Sequence, residues 1–361
     1  MLGWIDQQEA LDALVDRLGK HKGFIGLDTE FVRVSTFHPK PGLIQIAIDS
    51  DAFLIDPLCG MDLIPLGHSL NKQIKSVLHA AQEDYEVILS LTGQLPNRVF
   101  DTQVAYALLN EKISMSLSAL TLKLLGIELS KQETRSDWTK RPLTKAQCHY
   151  AKEDVAVLGD LYHILSEQLA ASGRAEWMRQ DMDAIGTRNA RVLVEGDIET
   201  QVQKFGNSWR LSPAGMSRLV HLVKWREDTA RLVDTPRKFV LSDKSLYSLS
   251  ISGQVGSHHQ LVSDHGLTDK QASRFGGQLK REIERASNCE DISPPPSPLS
   301  RSQKNELKDR QLKVINRAKD LGIAPEMLVK KRQLIASLDG REWCPTGWRK
   351  EILSGIFNEI G

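Results

Sequence analysis

Asp28 and Glu30 stand two residues apart at the end of an apolar run, Phe24-Ile25-Gly26-Leu27-Asp28-Thr29-Glu30-Phe31. Strand side chains alternate between faces, so a strand here points both carboxylates the same way. Acidic residues are depleted in strands, and an unpartnered buried charge is costly. A sheet edge facing water is the plainer account of the pair. A second acid, Asp84, follows His79-Ala80-Ala81-Gln82-Glu83 at the start of a helical stretch, where capping is the ordinary role and Glu83 is solvated. Tyr150 and Asp154, in Tyr150-Ala151-Lys152-Glu153-Asp154, have the i, i+4 spacing that shares one helix face. Alone, they read as a half-buried tyrosine near a surface aspartate.

Together these residues say more than each does alone. Two like charges ~4 Å apart repel by about 4 kcal/mol at an effective dielectric near 20. Four converging carboxylates therefore call for cations. Oxygen-only donors suit hard ions, Mg²⁺ or Mn²⁺, rather than zinc. Two such ions suit in-line displacement at a phosphodiester, one activating water and the other stabilising the leaving oxygen. A tyrosine beside them then has only to orient the attacking water.

The elements that must position these groups mix strands and helices. Gly23–Leu27, Leu43–Ile48, Ala52–Ile55, Ser76–His79 and Val99–Phe100 read as strands, with Asp49-Ser50-Asp51 as a hairpin signal. Leu63–Leu70, Glu83–Leu91, Thr102–Leu109 and the clear 3.6-residue period of Leu143–Leu169 read as helices. This pattern predicts an α/β sheet covered by helices. After about Phe205 strand signals nearly vanish. Leu211–Leu232, Lys244–Ile251 and Thr268–Ala286 read as helices, and so do Ser300–Asp320, Pro325–Leu338 and Gly347–Phe357. Between the two groups, Ser293-Pro294-Pro295-Pro296-Ser297-Pro298 cannot continue a helix and reads as a stiff linker.

The 361 residues, 40% hydrophobic and 26% charged, fit a globular protein of two or three domains. The net charge of +1 hides an asymmetry, because residues 1–200 sum to −8 and residues 201–361 to +9. Either the imbalance is a solvated surface, or an acidic metal-binding half adjoins a basic half that meets phosphates. Cys59, Cys148, Cys289 and Cys344 form no C-x-x-C pair, which argues against a zinc site or disulfide framework. No signal peptide is visible, and no run reaches the ~18 apolar residues of a membrane helix. The expectation is a cytoplasmic monomer that meets no membrane.

The order Asp-x-Glu, then Asp, then Tyr-x-x-x-Asp resembles the DEDD-Tyr 3′→5′ exonuclease superfamily. The motifs are more similar still to the ribonuclease D family: Leu27-Asp28-Thr29-Glu30-Phe31-Val32-Arg33, Gly42-Leu43-Ile44-Gln45-Ile46, His79 to Asp84, Phe100-Asp101-Thr102-Gln103, Ser136 to Leu143 and Tyr150 to Asp154. The resemblance covers roughly residues 1–205. It implies a ribonuclease H-like α/β exonuclease domain and two divalent ions, Mg²⁺ or Mn²⁺. Asp28 would bridge both ions, Glu30 and Asp154 would hold the nucleophile-side ion, Asp84 the other, and Tyr150 the water. Phe37-His38 departs from the family, whose members often carry two tyrosines there. Asp101 reads as a helix cap, and His79 and His149 as structural. Gln45, Trp138 and Arg141 are candidate nucleic-acid contacts near the site; packing and pairing between helices is the alternative for Trp138 and Arg141.

Residues 207–287 resemble the all-α HRDC domain, in Leu222 to Arg226, Thr235 to Leu246, Leu261 and Gly266-Leu267. A proline-rich linker spans 288–299, and 300–361 resembles a diverged second HRDC-type domain. Arg226, Arg237, Lys238 and Lys244 are candidate phosphate contacts, against solvated helix charge as the alternative; Trp209 and Trp225 read as core. The resemblance implies RNA as partner, through single-stranded 3′ ends such as those of tRNA precursors, with 5′-mononucleotides as product. A DNA exonuclease and a noncatalytic nucleic-acid-binding scaffold are the competing readings.

Overall fold

The computed structural model describes residues 2–72, 74–130, 132–338 and 344–357. The chain divides into two compact units. One comprises Met1–Val32, Pro39–Ala190 and Arg301–Gly361, the other Arg33–His38 and Arg191–Ser300.

The first unit is built on a six-stranded mixed sheet. Its strands are β1 (Leu2–Ile5), β2 (Phe24–Val32), β3 (Lys40–Ile48), β4 (Asp51–Ile55), β5 (Lys75–Leu78) and β6 (Arg98–Asp101), in spatial order β1-β4-β3-β2-β5-β6. The three central strands are antiparallel, and the outer pairs are parallel. The hairpin turn between β3 and β4 places Asp49 at φ 54, a left-handed conformation that aspartate tolerates better than most residues. Strand β2 runs well past the apolar run that announced it, because its pairing with β3 continues to Val32↔Lys40 through a bulge between Glu30 and Phe31.

Helices α1 (Gln8–Lys20), α2 (Ile64–Asn71), α3 (Gln82–Thr92), α4 (Thr102–Ala107), α5 (Leu117–Leu125), α6 (Lys145–Ala156), α7 (Leu158–Ala171) and α8 (Ala175–Glu195) cover the sheet or continue from it. The long period over 143–169 is two helices, broken at Val157. Helix α6 starts with a reciprocal capping box between Thr144 and Gln147. Its close approach to the sheet depends on Gly26, since a Cβ there would lie 2.7 Å from the Val155 carbonyl oxygen.

The C-terminal part of this unit is helical: α15 (Arg301–Leu321), α16 (Pro325–Leu328), α17 (Lys331–Leu338) and α18 (Trp348–Ile352). The helix expected over 325–338 is two short ones, and the one expected over 347–357 is shorter. The domain reading over 300–361 includes residues 339–343 and 358–361, which lie outside the described residues. Trp348 stacks on Trp177 of α8, ring centroids 4.1 Å apart and 6° from parallel. Its indole N–H donates to Asp181 over 3.0 Å, and Arg349 donates to both Asp181 oxygens.

The second unit comprises α9 (Ile198–Gln203), α10 (Pro213–Leu232), α11 (Arg237–Val240), α12 (Asp243–Ser252), α13 (His258–Ser263) and α14 (Asp269–Ser287). Leu219, Leu222, Val223, Leu246, Leu249, Phe275 and Leu279 form its core, and Phe37 joins it. The backbone N–H groups of Phe37 and His38 both donate to Asp234. Beyond α14 the proline-rich stretch has no helix or strand, but Ile292 N–H donates to Ser217 on α10. Among the described residues no helix is long and apolar enough to cross a membrane.

Candidate active site

The sheet and α6 together gather the acids. Asp28 and Glu30 project from one face of β2, and Asp154 meets them from α6, which Gly26 lets in close. One carboxylate oxygen from each of the three lies within 4.8 Å of the other two. Tyr150, one turn earlier on α6, has its hydroxyl 3.5 Å from Thr134 Oγ1 and hydrogen-bonds Asp154. Asp84 reaches the site differently. It sits in the first turn of α3, and Thr29, on the opposite face of β2, donates to its carboxylate over 2.6 Å. Thr29 went unnoticed in the sequence; a polar residue between two strand acids was the available signal.

The electrostatics show acids gathered without enough positive charge. Burial, then the charges of Asp84, Glu30 and Asp154, hold the Asp28 carboxyl well above the usual carboxylate range. Burial and the charges of Asp154 and Asp84 push Glu30 up to about 9. Burial raises Asp84 to about 6 against the Thr29 hydrogen bond, and raises Asp154 to about 6 against the Tyr150 hydroxyl. Burial, with the charges of Asp154 and Glu30, also keeps the Tyr150 phenol protonated above its ordinary range. Clustered carboxylates with suppressed ionisation form a site that a divalent cation completes. The donor set is oxygen only, which fits Mg²⁺ or Mn²⁺.

The neighbouring polar groups are already engaged. Asp101 caps α4 and accepts the Ala80 and Ala81 backbone N–H groups. His79 spans Thr102 and the Met115 carbonyl.

Four candidate nucleic-acid contacts are corrected. Gln45 is fully buried on β3, and Trp138 is buried against Leu43, Leu54 and Ala151, so neither meets a base. Gly42 makes room for Trp138, since a Cβ there would lie 2.5 Å from the tryptophan Cβ. Arg141 is spent internally: it pairs with both Asp56 oxygens at 2.6 Å and donates to the Gly42 and Trp138 carbonyls. Arg226 is buried, donating to the Leu241 carbonyl and to Asp243. Burial keeps Gln45, Trp138 and Arg226 from nucleic acid, and Arg141 is held by its partners within the protein. Arg237 and Lys238 remain at the surface; Arg237 pairs with Glu227 and lies over the Phe37 ring.

Comparison with known proteins agrees with this geometry. Residues 2–170 match a family model described as a 3′-5′ exonuclease of the DNA polymerase A exonuclease type. The chain is 36% identical to a ribonuclease D of Pseudomonas paraeruginosa over 359 residues, covering 96% of this chain and 94% of that one. It is 31% identical to a ribonuclease D of Haemophilus influenzae, covering 94% and 88% respectively. The crystal structure of Escherichia coli RNase D, described as an exoribonuclease involved in structured RNA processing, superposes with a TM-score of 0.86 at 29% identity, covering 98% of this chain and 96% of that one. A half-buried acidic cluster on a mixed sheet, a helical C-terminal region and this full-length similarity lead to one conclusion: the chain belongs to the ribonuclease D family of 3′-5′ exoribonucleases.

Proposed function

We propose that the chain removes nucleotides one at a time from RNA 3′ ends, by a two-metal hydrolysis that releases 5′-mononucleotides. The observation that carries this is the convergence of Asp28, Glu30 and Asp154 within 4.8 Å, with Tyr150 one helical turn from Asp154. In this reading Asp28, Glu30 and Asp154, with Asp84 steadied by Thr29, would hold the ions. Two divalent ions, when bound, supply the Lewis acidity that activates water and stabilises the leaving oxygen. Tyr150 keeps its proton and orients the attacking water through its hydroxyl. The Asp154 carboxylate takes the tyrosine hydrogen bond and fixes that orientation.

The substrates we infer are tRNA precursors and other small structured RNAs carrying 3′ extensions. The Escherichia coli relative's role in structured RNA processing supports this. The domain reading is an exonuclease domain over 1–205, an HRDC domain over 207–287, a linker over 288–299 and a second HRDC-like region over 300–361. Lys238, exposed, is the phosphate contact we assign to the first helical domain, with Arg237 offering only the edge that its pairing with Glu227 leaves open.

Digestion of a 5′-labelled single-stranded RNA in Mg²⁺, Mn²⁺ or EDTA tests the reading, beside a matched DNA and the Asp154→Ala variant. A ladder shortening from the 3′ end, metal-dependent and absent in the variant, is the expected result. RNA left intact while the DNA is degraded would sink the RNA assignment, and hydrolysis undiminished in the variant would sink the mechanism.

A further inference from the structure

Gln45 is an anomaly in the sheet. Its side chain is 0% exposed, yet neither Oε1 nor Nε2 has a hydrogen-bond partner. Leaving a buried polar group unpaired costs about 1–3 kcal/mol, so such groups are rare unless something else satisfies them. Its place in the register is informative. Gln45 on β3 lies directly across from Asp28 on β2, and Leu54 on β4 lies across from Gln45 on the other side. Directly opposed residues in an antiparallel pair point to the same face, with Cβ atoms roughly 4.5–5.5 Å apart. The amide therefore lies on the face that carries Asp28 and Glu30, under α6. Glu30 is likewise opposed, but by Leu43, which is apolar. Asp28 alone of the pair has a polar neighbour across the sheet.

The chemistry matches that neighbour. A glutamine amide offers two N–H donors and one acceptor, whereas an ionised carboxylate only accepts. Asp28 offers carboxylate oxygens directly across the sheet, and a divalent ion such as magnesium, which keeps part of its hydration shell, would bring water beside them. Each unmet atom of Gln45 then has a partner: Nε2 a carboxylate oxygen, Oε1 a water hydrogen. We propose that Gln45 is a positioning residue for the cation site, its buried amide placed across the sheet from Asp28 to meet that carboxylate and the water an ion would bring. The inference rests on the metal reading of the carboxylate cluster. The competing account is structural: the Trp138 indole N–H, also buried and unpaired, and Gln45 share a trapped water that has nothing to do with the ion.

The test is Gln45→Met, which keeps the unbranched shape and removes both polar atoms. Calorimetric titration with Mn²⁺ and the Tm of the metal-free protein are read together. The expected result is an affinity for Mn²⁺ lower by roughly 10- to 100-fold, the scale on which outer partners of ligands act, with a metal-free Tm equal to wild type or higher. A Tm that falls with Mn²⁺ affinity unchanged overturns the proposal in favour of the trapped water. Wild-type protein that binds no Mn²⁺ overturns the metal reading and this inference together, whereas equal binding by wild type and variant overturns only the inference. Should the variant not fold, the wild type carries the test alone. Exchange of the Gln45 side-chain amide protons with solvent slows on adding Mg²⁺ if the proposal holds, and is unmoved by Mg²⁺ if it fails.

Discussion

The molecule buries acids in two places and treats them in opposite ways. In the second unit Glu227 is fully buried, and three side chains close around it: Arg231, Arg237 and Gln201 all donate to its carboxylate. Burial would raise that carboxyl, but the hydrogen bonds and charge of Arg237, with Gln201 and Arg231 behind them, hold it below the usual carboxylate range. In the first unit Asp28, Glu30 and Asp154 face one another, and each is shifted upward. A buried acid whose counter-charge is built into the chain is a structural bolt. A cluster of acids whose counter-charge is not built in is waiting for a cation, and that is what marks a site.

The largest expected effects come from crossing the two cases. Asp28→Asn should reduce kcat/KM on an RNA oligonucleotide by on the order of 10⁴-fold, the scale on which essential catalytic groups fail. The same change should raise the Tm of the metal-free protein near neutral pH, because it removes one of the repelling charges. A variant that is both inactive and less stable without metal would break the comparison. Glu227→Gln should behave in the reverse sense. It leaves Arg231 and Arg237, both part-exposed, facing a neutral group, at a cost of about 1–3 kcal/mol. Chemical denaturation followed by circular dichroism reads that loss; a change under about 1 kcal/mol would mean the arginines are held by something else.

A smaller effect separates the two regions by pH. In EDTA the raised carboxyls of the first unit favour the folded state fully only below the ordinary carboxylate range. That contribution fades as pH rises, first near 6 for Asp84 and Asp154 and then near 9 for Glu30. Scanning calorimetry should therefore show a metal-free Tm that falls with rising pH, and a gain from Mg²⁺ that grows. An increment from Mg²⁺ independent of pH would contradict it. Glu227, whose carboxyl is lowered, acts with opposite sign: its contribution is present at neutral pH and is lost in acid as pH falls through its depressed value. Smallest of all is Lys238→Ala, which should weaken RNA binding modestly and reduce the slope of log affinity against log salt by about 1, without altering sequence preference. Fluorescence anisotropy across a salt series measures it; an unchanged slope removes Lys238 from the interface.

Much of the site was legible because its chemistry is local in sequence. Two strand acids in alternation and a tyrosine four before an aspartate encode their own facing, and the structure gathers Asp28, Glu30, Tyr150 and Asp154 at one place. What could not be read depends on partners far along the chain. Arg141 looked like a phosphate clamp until Asp56, 85 residues away, took two of its nitrogens. Trp138 and Gln45 looked like contacts until tertiary packing buried them. Helix α8 was not read from the sequence, because most of its polar length is exposed and only Met178, Asp181 and Met182 are buried. The breaks at Val157 and after Leu328 interrupt runs whose apolar period continues on either side.

The first unit is discontinuous in sequence, resuming at Arg301 after the second unit has been made. On a ribosome that adds about 5–20 residues per second, roughly 5–20 s separate Ala190 from Arg301, and longer still separates Trp177 from the arrival of Trp348. Asp28, Glu30, Asp84 and Asp154 all precede that gap, so the sheet and its acids are synthesised while α8 still presents an indole that Trp348 has yet to cover. Assembly of the first unit thus waits for the helices after Arg301, and a product stalled before them would carry the whole carboxylate cluster on an unfinished body.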